Sequence, residues 1–246
     1  MERLAAPWTD FLVTVNREDF AAANALGGLA PDRIRYIPGI GVDPTRFSPS
    51  AVSAEDVTCL RAGLGVPDDA FLLTMVAEFA PVKRHALALD ALSRVGSPRV
   101  VLALVGDGPL EAEVREAVAA KQLGERVVFA GYRRDLPALL VASDALLLVS
   151  EREGLNRSVL EAMASARPVI GTNTRGIADA VDGAGWIVGK NDVGALAMAI
   201  DEAAGNRAES ARRGALGRER VLAEFSLDAV LEAYERLYGE ALATRV

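Results

Sequence analysis

Two glutamates eight positions apart, Glu153 and Glu161, are the residues of this sequence best placed to do chemistry. Glu153 lies in a loop directly after the apolar run 145–149, which is typical of a buried parallel strand. Glu161 lies among apolar residues about two turns into a helix that is predicted to begin near Asn156 or Arg157. A carboxylate in such surroundings is expected to be partly buried and therefore to need a partner.

The start of this helix lies between the two acids, after a turn at Gly154. The first N–H groups of a helix favour an anion such as phosphate, although the side chain of Asn156 or Ser158 can accept from some of them. A sugar joined through a diphosphate to a nucleoside fits this arrangement, with sugar hydroxyls donating to Glu153 and the ribose diol to Glu161. The alternative is that Glu153 is a solvated loop acid and Glu161 a charge on a helix face.

The same stretch resembles the signature of a known enzyme family. The pattern consists of three segments: S-E-R-E-G at 150–154, L-E-A-M-A at 160–164 and P-V-I at 168–170. It is similar to the E-x7-E signature of the retaining GT-B glycosyltransferases, in particular glycosyltransferase family 4. The resemblance implies that Glu153 contacts the donor sugar and Glu161 the ribose. It also implies donor contacts from the loop residues Gly154, Leu155 and Asn156, although the family often has Phe-Gly in place of the last two.

A second group of candidates follows the apolar run 71–76, which predicts a buried strand. In the family an Arg and a Lys after this strand hold the donor diphosphate, and the resemblance implies this role for Lys83, together with Arg84. Glu78 stands where the family usually has the Arg, which reverses the sign of the charge. The alternative is that Lys83 and Arg84 only begin a solvated helix. His85 is expected to be an exposed residue of the helix start, because nothing near it in sequence would orient it.

Three further turns follow predicted strands. Gly106 opens a G-D-G-P turn, which fails as a dinucleotide fingerprint because Glu111 stands where the third Gly belongs. The resemblance implies a backbone contact to the donor there. Tyr132 and Arg133 border the nucleobase if the resemblance holds, and the alternative is an ordinary surface turn. Asp179 replaces the Glu of the family's G-x-x-E pattern, and we expect it to have a structural role.

Six apolar strands alternate with helices between residues 71 and 188, which predicts an α/β fold with a doubly wound, Rossmann-like parallel sheet. The resemblance implies one half of a GT-B fold. Residues 1–48 are then a remnant of the N-terminal acceptor domain and the interdomain crossing, to which segment 37–43 is similar. Residues 49–225 are the nucleotide-sugar donor-binding domain, and residues 226–246 are a C-terminal helix. This division implies that the chain pairs either with a separate N-terminal half or with a second copy of itself.

Composition narrows the function classes. The chain of 246 residues has a net charge of −7 and no basic block, which argues against a nucleic-acid surface. A single cysteine and a single histidine cannot build a disulfide or a zinc site, so we expect no metal. Apolar runs fall far short of the ~20 residues of a membrane helix, and no signal-peptide pattern is present. We therefore expect a cytoplasmic protein, with membrane contact only peripheral, at the inner face, and only in a complete enzyme.

The function implied by the resemblance is transfer of a hexosyl group from a nucleoside-diphosphate sugar to an unknown acceptor, with retention and without a metal. The only small molecule required is the substrate, a UDP- or GDP-sugar. Lys83 and the helix start would offset the charge of the leaving group, while Glu153 would orient the sugar. The alternative is a non-catalytic nucleotide or nucleotide-sugar-binding module without an acceptor domain. A NAD-dependent oxidoreductase is a third hypothesis, which the failed glycine fingerprint disfavours.

Overall fold

The computed structural model of the chain describes residues 6–39 and 41–243. Ile40, which belongs to the segment similar to the interdomain crossing, lies outside the described residues, as do positions 1–5 and 244–246 of the predicted division. The described strands are β1 (Leu12–Thr14), β2 (Ile34–Tyr36), β3 (Phe71–Val76), β4 (Val100–Val105), β5 (Val127–Gly131), β6 (Ala145–Leu148), β7 (Val169–Thr172) and β8 (Gly185–Val188).

Helices follow most of these strands, as an α/β fold requires. The described α-helices are α1 (Arg17–Leu26), α2 (Ala54–Gly63), α3 (His85–Leu92), α4 (Glu111–Ala120), α5 (Leu136–Ala142), α6 (Arg157–Ala164), α7 (Arg175–Val181), α8 (Val193–Gly205), α9 (Arg207–Arg220) and α10 (Leu227–Ala243). None of the helices in the described part of the chain is both long and apolar enough to cross a bilayer.

Strands β3–β8 form one parallel sheet of six strands in the order β5-β4-β3-β6-β7-β8. This is the doubly wound order in which the chain reverses direction across the sheet between its first and fourth strands. The predicted Rossmann-like fold is therefore confirmed. Because the reversal occurs between β3 and β6, a crevice opens at the carboxyl ends of these two neighbouring strands, where such sheets bind ligands.

Both faces of the sheet are buried, as the continuous apolar runs in its strands predict. Leu73 and Met75 of β3 pack with α3 and α8 on one face, and Leu72 packs with α5 on the other. Leu146 and Leu148 of β6 pack against α6 on that second face. The sheet thus holds α3 and α6 on opposite sides of the crevice, with their first residues at its mouth.

A smaller parallel pair, β1 and β2, lies apart from the main sheet and packs against α10. Ile37, Val230 and Leu237 form the buried centre of this contact, and Tyr234 packs against them. Tyr238 is 63% exposed. Of the two α10 tyrosines, one therefore covers the N-terminal segment, whereas the other faces solvent.

Helices α2 and α7 were not predicted from the sequence. The α2 segment A-E-D-V-T-C-L-R-A-G has only Val57 and Leu60 as an apolar face, and neither is fully buried, so its apolar periodicity is weak. The seven residues of α7 have a glycine in the first turn, which disfavours a helix assignment. Asp179 of α7 accepts a hydrogen bond from the backbone N–H of Arg17, at 2.7 Å. Its expected structural role is therefore confirmed, because it joins α7 to the start of α1.

Candidate functional site

Glu161 is buried beside the crevice, with only 6% of the residue exposed. Asn156 caps the helix: its side-chain oxygen accepts from the backbone N–H groups of Ser158 and Val159 at 2.9 and 3.3 Å. Glu161 is the fifth residue of α6, so it lies just over one turn from the start of the helix, not two. The sequence left Asn156 and Ser158 as possible capping residues, and the structure has Asn156 in this role.

The partner of Glu161 is Arg157, one turn earlier on the same helix. The Arg157 Nε donates to Glu161 Oε1 at 3.1 Å. Burial raises the pKa of the Glu161 carboxyl, and the positive charges of Arg157 and then Arg46 act in the opposite direction. Sequence reasoning required a partner for Glu161 but named neither arginine. The four-residue spacing between Arg157 and Glu161 would have indicated Arg157 as the partner. Arg46 is distant in sequence, so no local pattern indicates it.

A cleft of about 390 Å³ opens beside this carboxylate. Its lining residues come from the loop before α2, the end of β3, the start of α5 and the start of α6: Arg46, Phe47, Val76, Leu136, Asn156, Arg157, Ser158 and Glu161. The Ser158 hydroxyl lies 3.4 Å from the carbonyl oxygen of Val76, which ties α6 to the end of β3. The cleft therefore lies at the point where the sheet reverses direction.

Lys83 and Glu153 meet at the same end of the sheet. The Lys83 Nζ donates to Glu153 Oε1 at 2.6 Å, and the two side chains are 20% and 10% exposed. The loops that carry them are also joined through the backbone, because the N–H of Glu151 donates to the carbonyl oxygen of Val82 at 2.9 Å. Lys83, predicted to contact the diphosphate, and Glu153, predicted to contact the sugar, are thus in direct contact with each other.

The start of α6 presents backbone N–H groups that the helix itself cannot pair. Within the described part of the chain, the N–H groups of Leu155, Asn156 and Arg157 have no protein acceptor. They belong to the first turn of the helix or precede it, where the helix dipole favours negative charge. The arrangement can accept an anion between a buried carboxylate on one side and an ammonium group on the other.

The loop that carries Glu153 is held against α7 by a close backbone contact. A Cβ added at Gly176 would lie 1.1 Å from the carbonyl oxygen of Gly154, so no larger residue fits at position 176 without a shift. Leu155 lies against the segment that follows β2, where a Cβ at Gly39 would come within 2.8 Å of its Cδ2. The position of the Glu153 loop is therefore determined by packing from two sides.

Three predicted residues make other contacts. Arg84 adopts a left-handed backbone conformation with φ 56°, and its Nη1 donates to the carbonyl oxygen of Lys190 at 2.5 Å. Arg133 forms a paired contact with Asp135 of its own loop, with Nε 2.9 Å from Oδ1. Tyr132 is 71% exposed. Tyr132 and Arg133 follow β5, the edge strand of the sheet, and line no part of the cleft beside Glu161.

Gly106 is required by the packing of the loops after β3 and β4. It has φ 141°, and a Cβ there would lie 2.2 Å from the carbonyl oxygen of Ala77. The same two loops exchange backbone hydrogen bonds, from Phe79 N to Asp107 O at 2.8 Å and from Leu110 N to Phe79 O at 2.9 Å. The turn therefore fixes the loop after β3, in which Glu78 is exposed.

The expectation that His85 is exposed is wrong. His85 is only 4% exposed, and its ring stacks on Phe79 with 4.5 Å between the ring centroids. Its Nε2 is buried and has no hydrogen-bond partner in the described structure. Burial, together with the nearby charge of Lys83, lowers the pKa of His85 to about 4, so the ring is neutral at neutral pH. The stacking partner lies in the loop after β3, which sequence reasoning left without structure.

Comparison with known proteins identifies the family. Residues 70–206 match the family model described as glycosyl transferases group 1. The chain is 31% identical to the putative glycosyltransferase EpsD of Bacillus subtilis over 97% of this chain and 63% of that protein. It is 29% identical to the Escherichia coli UDP-Gal:alpha-D-GlcNAc-diphosphoundecaprenol alpha-1,3-galactosyltransferase over 81% of this chain and 52% of that protein. The chain thus spans about half to two thirds of the length of these two relatives.

Solved structures share the fold. HepE of Anabaena, in complex with UDP and glucose, superposes with a TM-score of 0.85 at 22% identity, over 96% of this chain and 65% of that one. Sucrose-phosphate synthase from Thermosynechococcus elongatus superposes with a TM-score of 0.84 at 27% identity, over 99% of this chain and 61% of that one. The sequence match to the family model covers more than half of the chain and includes Lys83, Glu153 and Glu161. The chain belongs to the group 1 glycosyl transferase family.

Proposed function

We propose that the crevice between β3 and β6 binds a nucleoside-diphosphate sugar and that the protein transfers its hexosyl group to an acceptor. The observation that carries this proposal is the grouping of a buried carboxylate at Glu161, the amides at the start of α6 that have no acceptor in the described structure, and the Lys83–Glu153 pair. Each group suits one part of such a donor, from the ribose through the diphosphate to the sugar. Membership of the family supports the same reaction class.

In this proposal Glu161 accepts hydrogen bonds from the ribose hydroxyls, and the amides of residues 155–157 donate to the diphosphate. Lys83 contacts the diphosphate and stabilises the charge that develops on it as the glycosidic bond breaks. Glu153 accepts from the sugar hydroxyls and stabilises positive charge on the ring. Lys83 and Glu153 are in direct contact at 2.6 Å, so in this proposal the Lys83 ammonium turns from Glu153 toward the diphosphate as the donor binds.

We extend the proposal to retention of the anomeric configuration and to independence from a metal. The amides and Lys83 supply the positive charge that a divalent cation would otherwise provide to the diphosphate. Slow hydrolysis of the donor in the absence of acceptor tests both points. NMR should show the same anomer in the first product as in the donor, and a chelator should leave the rate unchanged. The opposite anomer, or loss of turnover with the chelator, would contradict these two extensions.

The segment before α2 supports the proposed domain division. Strands β1 and β2 form only a two-stranded parallel sheet, which is too small to be stable alone, and Leu12 of β1 is 38% exposed. We propose that residues 1–48 belong to an acceptor-binding domain, that residues 49–225 bind the donor, and that α10 joins the two. An N-terminal half, on the same polypeptide or a separate chain, would extend this small sheet at β1.

Calorimetric titration tests the donor site. UDP, GDP, ADP and NAD are titrated into the purified chain, and UDP is the first choice because the Escherichia coli relative is named for UDP-Gal. We expect one nucleoside diphosphate to bind tightest and Lys83→Ala and Glu161→Ala to weaken it. Tightest binding of NAD would refute the proposal. Product formation from a sugar nucleotide distinguishes a transferase from the alternative, a binding module that transfers nothing.

A further inference from the structure

Two arginines line the cleft that contains the buried carboxylate of Glu161. Arg157 contacts it at 3.1 Å from the first residue of α6, and its side chain is 65% exposed. Arg46 reaches the same side of the cleft from the loop before α2, where its guanidinium lies over the ring of Phe47. The cleft residues from β3 and α5, Val76 and Leu136, carry no charge. The charged groups that act on Glu161 are thus these two arginines, from two separate segments.

Helix stability does not account for Arg157 at this position. A cation in the first turn of a helix opposes the helix dipole, and an arginine that precedes a glutamate by four residues is the less favourable order for such a pair. An ion pair with one exposed partner at this helical spacing adds little to the stability of the fold. Arg157 therefore acts mainly on Glu161: it pairs with a carboxylate that would otherwise be buried without a partner.

We propose that Arg157, through its contact with Glu161, and Arg46, through its charge in the same cleft, are positioning residues that keep Glu161 a carboxylate, and that this makes the cleft select ribonucleotides over 2′-deoxyribonucleotides. This inference rests on the proposed donor site. An ionised carboxylate only accepts hydrogen bonds, so its two oxygens match the two donors of a ribose diol. A 2′-deoxyribose offers one donor and leaves a buried carboxylate oxygen unsatisfied, which corresponds to about 10- to 100-fold weaker binding.

The experiment compares UDP with 2′-deoxy-UDP by calorimetry, or the matching pair for whichever nucleoside diphosphate binds tightest. Wild type should favour the ribonucleotide at least tenfold between pH 5.5 and pH 8. Arg157→Gln and Arg46→Gln should each reduce this ratio, most strongly at pH 5.5, because the Glu161 carboxyl then loses part of the charge that opposes its protonation. Arg157→Lys should restore much of the ratio. Arg236→Gln, which removes an arginine from an exposed i,i+4 pair with Glu232, is the matched control and should leave it unchanged.

The outcomes separate this inference from the donor assignment. Failure of wild type to bind any of the nucleoside diphosphates refutes the donor site itself. Binding without preference for ribose overturns the inference while leaving the donor site intact. Equal weakening of both nucleotides in Arg157→Gln, at every pH, also overturns it, because it would assign Arg157 to the phosphates or to the fold. Loss of the preference in Glu161→Gln but not in either arginine variant would leave the ribose contact to Glu161 alone and overturn the role of the arginines.

Discussion

Replacing Gly176 with alanine is expected to disturb the site without touching any of its polar groups. Gly176 is the second residue of α7, and a Cβ there would lie 1.1 Å from the carbonyl oxygen of Gly154. Contacts of this kind below 3.0 Å essentially never occur, so α7 and the Glu153 loop must separate by about 1.9 Å, the difference between these two distances. Either Glu153 moves away from Lys83, or α7 moves and strains the contact of Asp179 with α1.

Two opposing effects set the size of the change in stability. Alanine is favoured over glycine inside a helix by about 1 kcal/mol. Overpacking against backbone costs about 1–3 kcal/mol. We therefore expect Gly176→Ala to lower the free energy of unfolding by up to about 2 kcal/mol. Nucleotide affinity should also fall, because Glu153 and the amide of Leu155 belong to the loop that must move.

Urea denaturation and calorimetric titration measure both effects, and Gly205→Ala is the matched control. Gly205 ends α8, and a Cβ there would meet no atom within 4 Å. The control should keep its nucleotide affinity and gain up to about 1 kcal/mol of stability. If Gly176→Ala were as stable as this control and bound nucleotide like wild type, the Glu153 loop would not be positioned by α7.

Two further predictions concern the loop after β3. Because the pKa of His85 is about 4 in the folded chain and 6.5 unfolded, the unfolded chain takes up a proton as pH falls through this range. The free energy of unfolding should therefore drop by about 2 kcal/mol between pH 8 and pH 5, and His85→Phe should remove this part of the loss. Lys83→Met and Glu153→Gln should show a coupling energy of about 1–2 kcal/mol in a double-mutant cycle, because their contact is largely removed from solvent.

Denaturation in urea at the two pH values checks the first of these predictions, and His85→Phe keeps a ring on Phe79 so that packing is preserved. An equal loss of stability in wild type and His85→Phe would contradict it. For the cycle, the same denaturation experiment is run on both single variants and the double variant at pH 8. Purely additive effects would mean that Lys83 and Glu153 are paired without energetic consequence.

Most of the sheet was predictable because its strands are buried on both faces. Runs such as Phe71–Val76 and Gly185–Val188 are continuous, apolar and bounded by turn residues, so their pattern identified them. The doubly wound order follows from alternation of strands and helices, since crossover connections of parallel strands are right-handed. Helix α2 escaped prediction because its apolar face is narrow: Leu60 packs against the core, but no residue of the helix is fully buried.

The candidate site was predictable where its chemistry is local and was missed where it depends on packing between distant segments. Glu153 and Glu161 stand out by their spacing and by the apolar residues around them. Arg46 lines the same cleft as Glu161 although 115 positions of sequence separate them, and neither composition nor periodicity reports such proximity. His85 is buried by a ring six positions earlier, in an irregular loop whose course is determined by Gly106 and the turn after β4.

A crystal structure of the chain with its tightest-binding nucleoside diphosphate tests the central claim most directly. The proposal predicts the diphosphate on the amides of residues 155–157, with Lys83 turned from Glu153 toward a phosphate oxygen. The ribose hydroxyls should lie within hydrogen-bond distance of Glu161. A nucleotide bound elsewhere, for example in the groove between α3 and α4, with the Lys83–Glu153 contact intact, would contradict the assignment of this crevice as the donor site.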